Sequence, residues 1–130
     1  MKKKLAIIGA GGHGKVVGDI ALLNKYKKID FYDDNVSNIK KYPFNIVDNI
    51  NNLKKNLSYY DSFFVAIGDN YLRSNKIQWL KKLDVKIVNL IHPKSTVSKF
   101  SSLGLGICVM ANAVINSGSI IKDGVIINTS

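Results

Sequence analysis

The sequence predicts an α/β protein in two parts: a small Rossmann-like, doubly wound parallel sheet over residues 1–93, then an incomplete left-handed parallel β-helix over residues 94–130. Three observations predict it. Residues 4–17 pass from an apolar run through Gly9, Gly11 and Gly14 into a helical pattern. Apolar strands and amphipathic helices then alternate as far as His92-Pro93. From Val97 the apolar period changes to six.

In the first stretch the glycines satisfy G-x-G-x-x-G directly after a strand and before a helix. Glycine admits positive φ and close approach of a ligand's phosphates, and the first helical amides and the helix dipole favour negative charge. The pattern points to phosphate or nucleotide binding, with a purely structural turn as the alternative. Val16, Val17, Ile20 and Ala21 then supply the apolar stripe of a helix of about three turns, ending near Asn24. Ile29 and Phe31 alternate inward in a second strand, which closes a βαβ unit. Asp33 and Asp34 fall at that strand's carboxyl end, about 20 residues after the glycines, where an acidic side chain accepts a ribose hydroxyl. A solvated turn explains the same two residues.

Pro43 makes residues 41–47 a loop or an edge strand, and Ile50, Leu53 and Leu57 repeat as a short helix. Residues 62–67 are continuously apolar, as in a central parallel strand buried on both faces. Gly68 and Asn70 follow at its carboxyl end. Arg73, near the start of the next helix, reads as a phosphate or base clamp or as an exposed helix charge. Ile77, Leu80 and Leu83, with Trp79 alongside as packing, form that helix's apolar face, and residues 85–91 form a further strand. Beyond it Val114, Ile120 and Ile126 recur every six residues, with Gly118, Gly124 and Ser130 four positions after each, and Ile107 with Ala111 as an imperfect earlier copy. Such hexads mark a β-helix; an antiparallel hairpin with glycine turns is the competing reading.

Composition narrows the class. A chain of 130 residues builds one compact core or little more. The net charge of +10 invites nucleic acid, but the lysines are scattered as pairs, Lys27-Lys28, Lys40-Lys41, Lys54-Lys55 and Lys81-Lys82, without interleaved aromatics. A solvated face, with no nucleic-acid partner, is expected. No apolar run is long enough to span a bilayer, and the apolar residues after Met-Lys-Lys-Lys are too few for an export signal. Cys108, the only cysteine, excludes an internal disulfide and fits a buried thiol in a reducing, cytoplasmic setting. No metal site is expected.

Five segments occur in a telling order: Gly9-Ala10-Gly11-Gly12-His13-Gly14, Tyr32-Asp33-Asp34, Ala66-Ile67-Gly68-Asp69-Asn70, Val88-Asn89-Leu90-Ile91-His92-Pro93, and Gly124-Val125-Ile126-Ile127-Asn128-Thr129-Ser130. Together they resemble the NeuD/PglD family of bacterial sugar acyltransferases over essentially the whole chain. The resemblance implies an N-terminal domain that binds a UDP-linked amino sugar, and a β-helix homotrimer that binds acetyl-CoA between subunits, for N- or O-acetylation in surface glycan synthesis. It places Gly11, Gly12, His13 and Gly14 near the phosphates, Asp33 and Asp34 near the nucleoside, and Gly68, Asn70 and Arg73 around the nucleotide. His13 also reads as a simple helix cap or an exposed ring. The family's general-base histidine lies a short way beyond the segment matched by residues 127–130. These residues are therefore expected to hold the nucleotide sugar without a catalytic residue and without most of the acetyl-CoA site, and neither His13 nor His92 replaces the base. A non-catalytic UDP-sugar-binding module is the alternative. An NAD-binding protein ranks lower, because a dehydrogenase needs no hexads.

Overall fold

The computed structural model describes residues 3–35 and 41–129; Lys40 and Ser130 lie outside them. β1 (Lys4–Ile8) is shut off from solvent over residues 5–8, as the uninterrupted apolar run requires of a parallel strand covered on both faces. After the glycines, α1 (Gly12–Leu23) buries Val17, Ile20 and Ala21 against the sheet and stops at Asn24. β2 (Lys28–Tyr32) pairs with β1 in parallel, and β3 (Asn45–Asp48) forms the edge beyond it. The short helix expected around Ile50 is a 3-10 helix, Ile50–Tyr59, broken at Asn56 and capped by the Asn49 side chain, which accepts from the Asn52 amide. β4 (Ser62–Val65) lies on the other side of β1, and α2 (Asn70–Lys82) follows, capped by the Asp69 carboxylate. The sheet order is β3-β2-β1-β4.

The strand expected over residues 62–67 is buried on both faces and flanked by β1 and, through a bridge between Phe63 and Ile87, by residues 86–88, but it is shorter, Ser62–Val65. Ile29 and Phe31 pack inward with α1 as expected, and the opposite face of β2 is buried too: Asp30 is 3% exposed and accepts a 2.8 Å hydrogen bond from the Tyr60 hydroxyl, which meets the Tyr32 hydroxyl at 2.9 Å. Burial and these two neighbours push the Tyr60 hydroxyl pKa upward.

The expected strand at residues 85–91 is divided. Ile87 serves the sheet, but β5 (Leu90–Ile91) pairs with β8 (Cys108–Val109), and β8 with β11 (Ile126–Ile127). Between them β6 (Thr96–Val97) pairs with β9 (Val114–Ile115), and β7 (Ser102–Leu103) with β10 (Ile120–Ile121). All these pairs are parallel, as in a β-helix. The cause of the division is Asn89, whose side chain donates to the Gly104 carbonyl and accepts from the Ile107 amide, turning the chain into the solenoid ladder. The ladder thus begins at Leu90, ahead of residue 94, and completes two coils before the first face of a third.

The hexad period holds, but its phase differs by one residue. Ile91, Val97, Leu103, Val109, Ile115, Ile121 and Ile127 point into the solenoid core, whereas Val114 and Ile120 are 59% and 74% exposed. Gly106, Asn112, Gly118 and Gly124 all take positive φ, from 63° to 84°, at the corners between faces, where glycine and asparagine are least strained. Leu90 and Cys108 pack into the same core as Leu5, Val17 and Phe64, so sheet and solenoid share apolar interior. Burial pushes the Cys108 thiol pKa up to about 11, as suits a packing residue.

Candidate functional site

The carboxyl ends of β1, β2 and β4 meet at one edge, where a parallel sheet binds its ligands. The glycine loop there is tightly tied. The Gly9 amide donates to the Tyr32 carbonyl at 2.9 Å, and the Ala10 amide to the Asp33 carboxylate at 2.6 Å. Gly9 has φ of 107°, and a Cβ on it would lie 2.7 Å from the Ala66 carbonyl oxygen. Gly14 sits beneath the loop, where a Cβ would strike the Gly9 carbonyl oxygen and the Tyr42 hydroxyl. Gly11 and Gly12, by contrast, face open space.

Gly11 and Gly12 line a cleft of about 280 Å³ with Lys15, Lys41 and Tyr42. The first turn of α1 carries no acidic residue and no side-chain cap, which leaves its amides and two lysines facing the space. Tyr42 donates to the Gly11 carbonyl at 3.0 Å, and burial and the Asp33 charge raise its hydroxyl pKa to about 12. Asp33 thus braces the loop directly, accepting also from the Asn35 amide at 2.8 Å. Asp34 is turned the other way, and accepts from the Ile50 amide at 3.0 Å.

A larger cleft, about 610 Å³, opens between this sheet edge and the solenoid. His13, Gly68, Asn70 and Arg73 line one side, and Met110, Asp123, Gly124, Val125, Ile126 and Asn128 the other. His13 is half-buried, and its Nε2 is enclosed with no hydrogen-bond partner in the protein. Burial, then the Arg73 charge, lowers its pKa and so favours the neutral ring. Arg73 is neither exposed nor free: it is 8% exposed and bonded to backbone on both sides of the cleft. His92 lies elsewhere, its Nδ1 accepting from the Lys94 amide at 3.0 Å.

The structure thus gathers Gly11 and Gly12 at one space and His13, Gly68, Asn70 and Arg73 at the other, while Gly14 and Asp33 support the loop from behind and Asp34 is turned away. Sequence reasoning missed Lys15, Lys41 and Tyr42 and the whole solenoid wall. In the sequence the segment from Gly124 to Asn128 stands only as a motif, since nothing short of the 18-residue coil repeat brings it opposite Asn70. Among the described residues no group of three or more His, Cys, Asp or Glu side chains gathers as a metal site. No helix among them is long and apolar enough to cross a membrane.

A Rossmann-like sheet whose ligand edge opens onto a parallel β-helix is the architecture of nucleotide-sugar acetyltransferase structures. The chain belongs to the family of the PglD N-terminal domain, whose model matches residues 4–80. It is 30% identical over 116 residues to the UDP-N-acetylbacillosamine N-acetyltransferase of Bacillus subtilis, a match covering 84% of this chain and 52% of that protein. It is similar to the acetyltransferase domain of PglB from Neisseria gonorrhoeae, solved with acetyl coenzyme A: TM-score 0.86, 40% identity, 98% of this chain and 62% of that one. PerB from Caulobacter crescentus, solved with CoA and GDP-perosamine, gives TM-score 0.87 and 34% identity over 97% of this chain and 60% of that one. The chain therefore spans about half the length of the curated relative and about three fifths of these solved chains.

Proposed function

We propose that this chain holds a nucleotide-linked amino sugar, with UDP as the nucleotide, within an acetyl-CoA-dependent acetyltransferase of surface glycan synthesis. The observation that carries the reading is the cleft of about 610 Å³ between sheet edge and solenoid, in which the His13 Nε2 is buried without a partner. A buried polar atom in that condition is costly unless a ligand satisfies it. The space beside Gly11, Gly12 and Lys15 suits the pyrophosphate, and Gly68 and Asn70, on the wall of the larger cleft, suit the nucleoside side. The sugar then extends past His13 toward Asn128. The comparisons support this reading, since the relatives' names and complexes include UDP- and GDP-linked amino sugars and CoA.

Acetyl-CoA supplies an activated thioester to the sugar's amine. Transfer needs donor and amine held together, and a base to take the proton as nitrogen attacks. We assign neither histidine of residues 1–130 that role: His13 serves the sugar's polar groups, and His92 is engaged by a turn. These residues by themselves accordingly bind the nucleotide sugar without transferring acetyl. The outward row that includes Val114 and Ile120 offers an apolar surface for the trimer that the family resemblance implies. A thiol-release assay with acetyl-CoA and a UDP-4-amino sugar tests the reading, with the Bacillus subtilis relative as positive control. Turnover by this chain is expected to fall short of the control by at least about 10²-fold, the scale of lost general-base help. Comparable turnover would place the base within these residues and contradict the assignment.

A further inference from the structure

We infer that Arg73 is a positioning residue: it fixes the separation of the two walls of the larger cleft and does not itself grip the ligand's phosphates. Its functional consequence rests on the nucleotide-sugar reading; its geometry does not. Arg73 lies on the buried face of α2 with Ile77 and Leu80, at i, i+4 and i+7. Its Nη1 donates to the Ile67 and Gly68 carbonyls, each at 3.0 Å, and its Nη2 to Asn70 Oδ1 at 2.6 Å. Its Nε crosses to the solenoid and donates to the Gly124 carbonyl at 2.7 Å.

A guanidinium holds its donors in a fixed planar fork, so one side chain can clamp a sheet-end loop and a solenoid corner at once. The surroundings brace the same joint. A Cβ on Gly124 would lie 2.7 Å from Ile77 Cδ1, so the corner packs closely on α2, and its φ of 73° suits glycine there. Lys81 pairs with Asp123 at 2.7 Å beside it, but that pair is over a third exposed and contributes little. The buried fork therefore sets the distance between Gly68 and Gly124. A ligand group that satisfies His13 must reach the solenoid wall in the same pose, so the cleft's width decides how well the sugar is held, while the nucleotide is held on one wall alone.

The test compares wild type, Arg73→Lys and the control Lys81→Met by amide hydrogen exchange without ligand, and by calorimetry with UDP and UDP-N-acetylglucosamine. In Arg73→Lys, exchange at residues 66–73 and 122–127 should rise about tenfold or more, while residues 112–118 stay within about twofold, and Lys81→Met should match wild type. UDP affinity should stay within about twofold, whereas the wild type's preference for the nucleotide sugar over UDP should disappear. A clamp on phosphates predicts the opposite, an equal loss for both ligands. Unchanged exchange on the solenoid wall, an equal loss, or a wild type with no preference for the sugar overturns the inference. A wild type that binds neither ligand contradicts the nucleotide reading alone, and the exchange arm still decides the strut. Should Arg73→Lys not fold, Asn70→Ala, which removes the Nη2 contact, carries the exchange arm alone: a smaller rise at residues 122–127 is expected, and no rise there overturns the inference.

Discussion

Gly11 and Gly14 stand one helical turn apart in the same motif, yet the reason for glycine differs between them. Gly11 has extended backbone and no protein atom within 4 Å of an added Cβ, so Gly11→Val should leave stability within about 0.5 kcal/mol while UDP affinity falls about tenfold or more. Gly14→Val drives its side chain into the Gly9 carbonyl and the Tyr42 hydroxyl, and should cost about 1–3 kcal/mol of stability as well as binding. Thermal unfolding and calorimetry on the two variants separate the roles; a Gly11→Val protein with unchanged affinity would remove the phosphates from this loop. His13 adds a pH dependence. Its ring takes up a proton near 6.5 in the unfolded chain, whereas burial, and then the Arg73 charge, lower the folded-state pKa. Below 6.5 the unfolded state binds more protons, so the stability that is full above this value falls as pH drops toward the folded pKa. Proton NMR should show the His13 ring titrating below 6.5, and His13→Gln should flatten stability in that range; a midpoint at or above 6.5 contradicts the burial argument.

At the scale of elements, Leu90 joins the two architectures: it begins the solenoid ladder and is fully buried in the core built around β1 and α1. Leu90→Ala should cost about 2–5 kcal/mol, and the loss of Trp79 fluorescence and of far-UV circular dichroism should remain coincident. Separate transitions would show that the solenoid unfolds alone. The early elements were legible in the sequence because glycine spacing, apolar periodicity and turn residues act locally. The hexad period was legible for the same reason. Its phase was not: Val114 and Ile115 are both aliphatic, and only packing against Val97 and Ile127 decides which points inward. Arg73 carried a readable signal in its spacing from Ile77 and Leu80, but a buried arginine is intelligible only once Gly124 lies opposite to accept from it. The position of Asp33 in the sequence suggests a ribose acceptor, and what the structure shows is its carboxylate bracing the Ala10 amide, a contact no spacing rule contains.

Across the whole molecule, the ligand edge of the sheet and the solenoid face one another because the chain passes from one to the other at Asn89 without a linker. Asn24 ties α1 to Ile91, Asn89 ties the crossing to Gly104 and Ile107, and Arg73 closes the far side on Gly124. The net charge of +10 is distributed around this body, and its lysines at the glycine loop, Lys15 and Lys41, are the ones positioned to meet a diphosphate. On the reading proposed above, these residues bind a uridine nucleotide sugar across the two clefts. Isothermal calorimetry with UDP, UDP-N-acetylglucosamine and NADH tests it most directly. Saturable binding of UDP and of the nucleotide sugar, with no heat from NADH, is the predicted result; binding of NADH alone would contradict it.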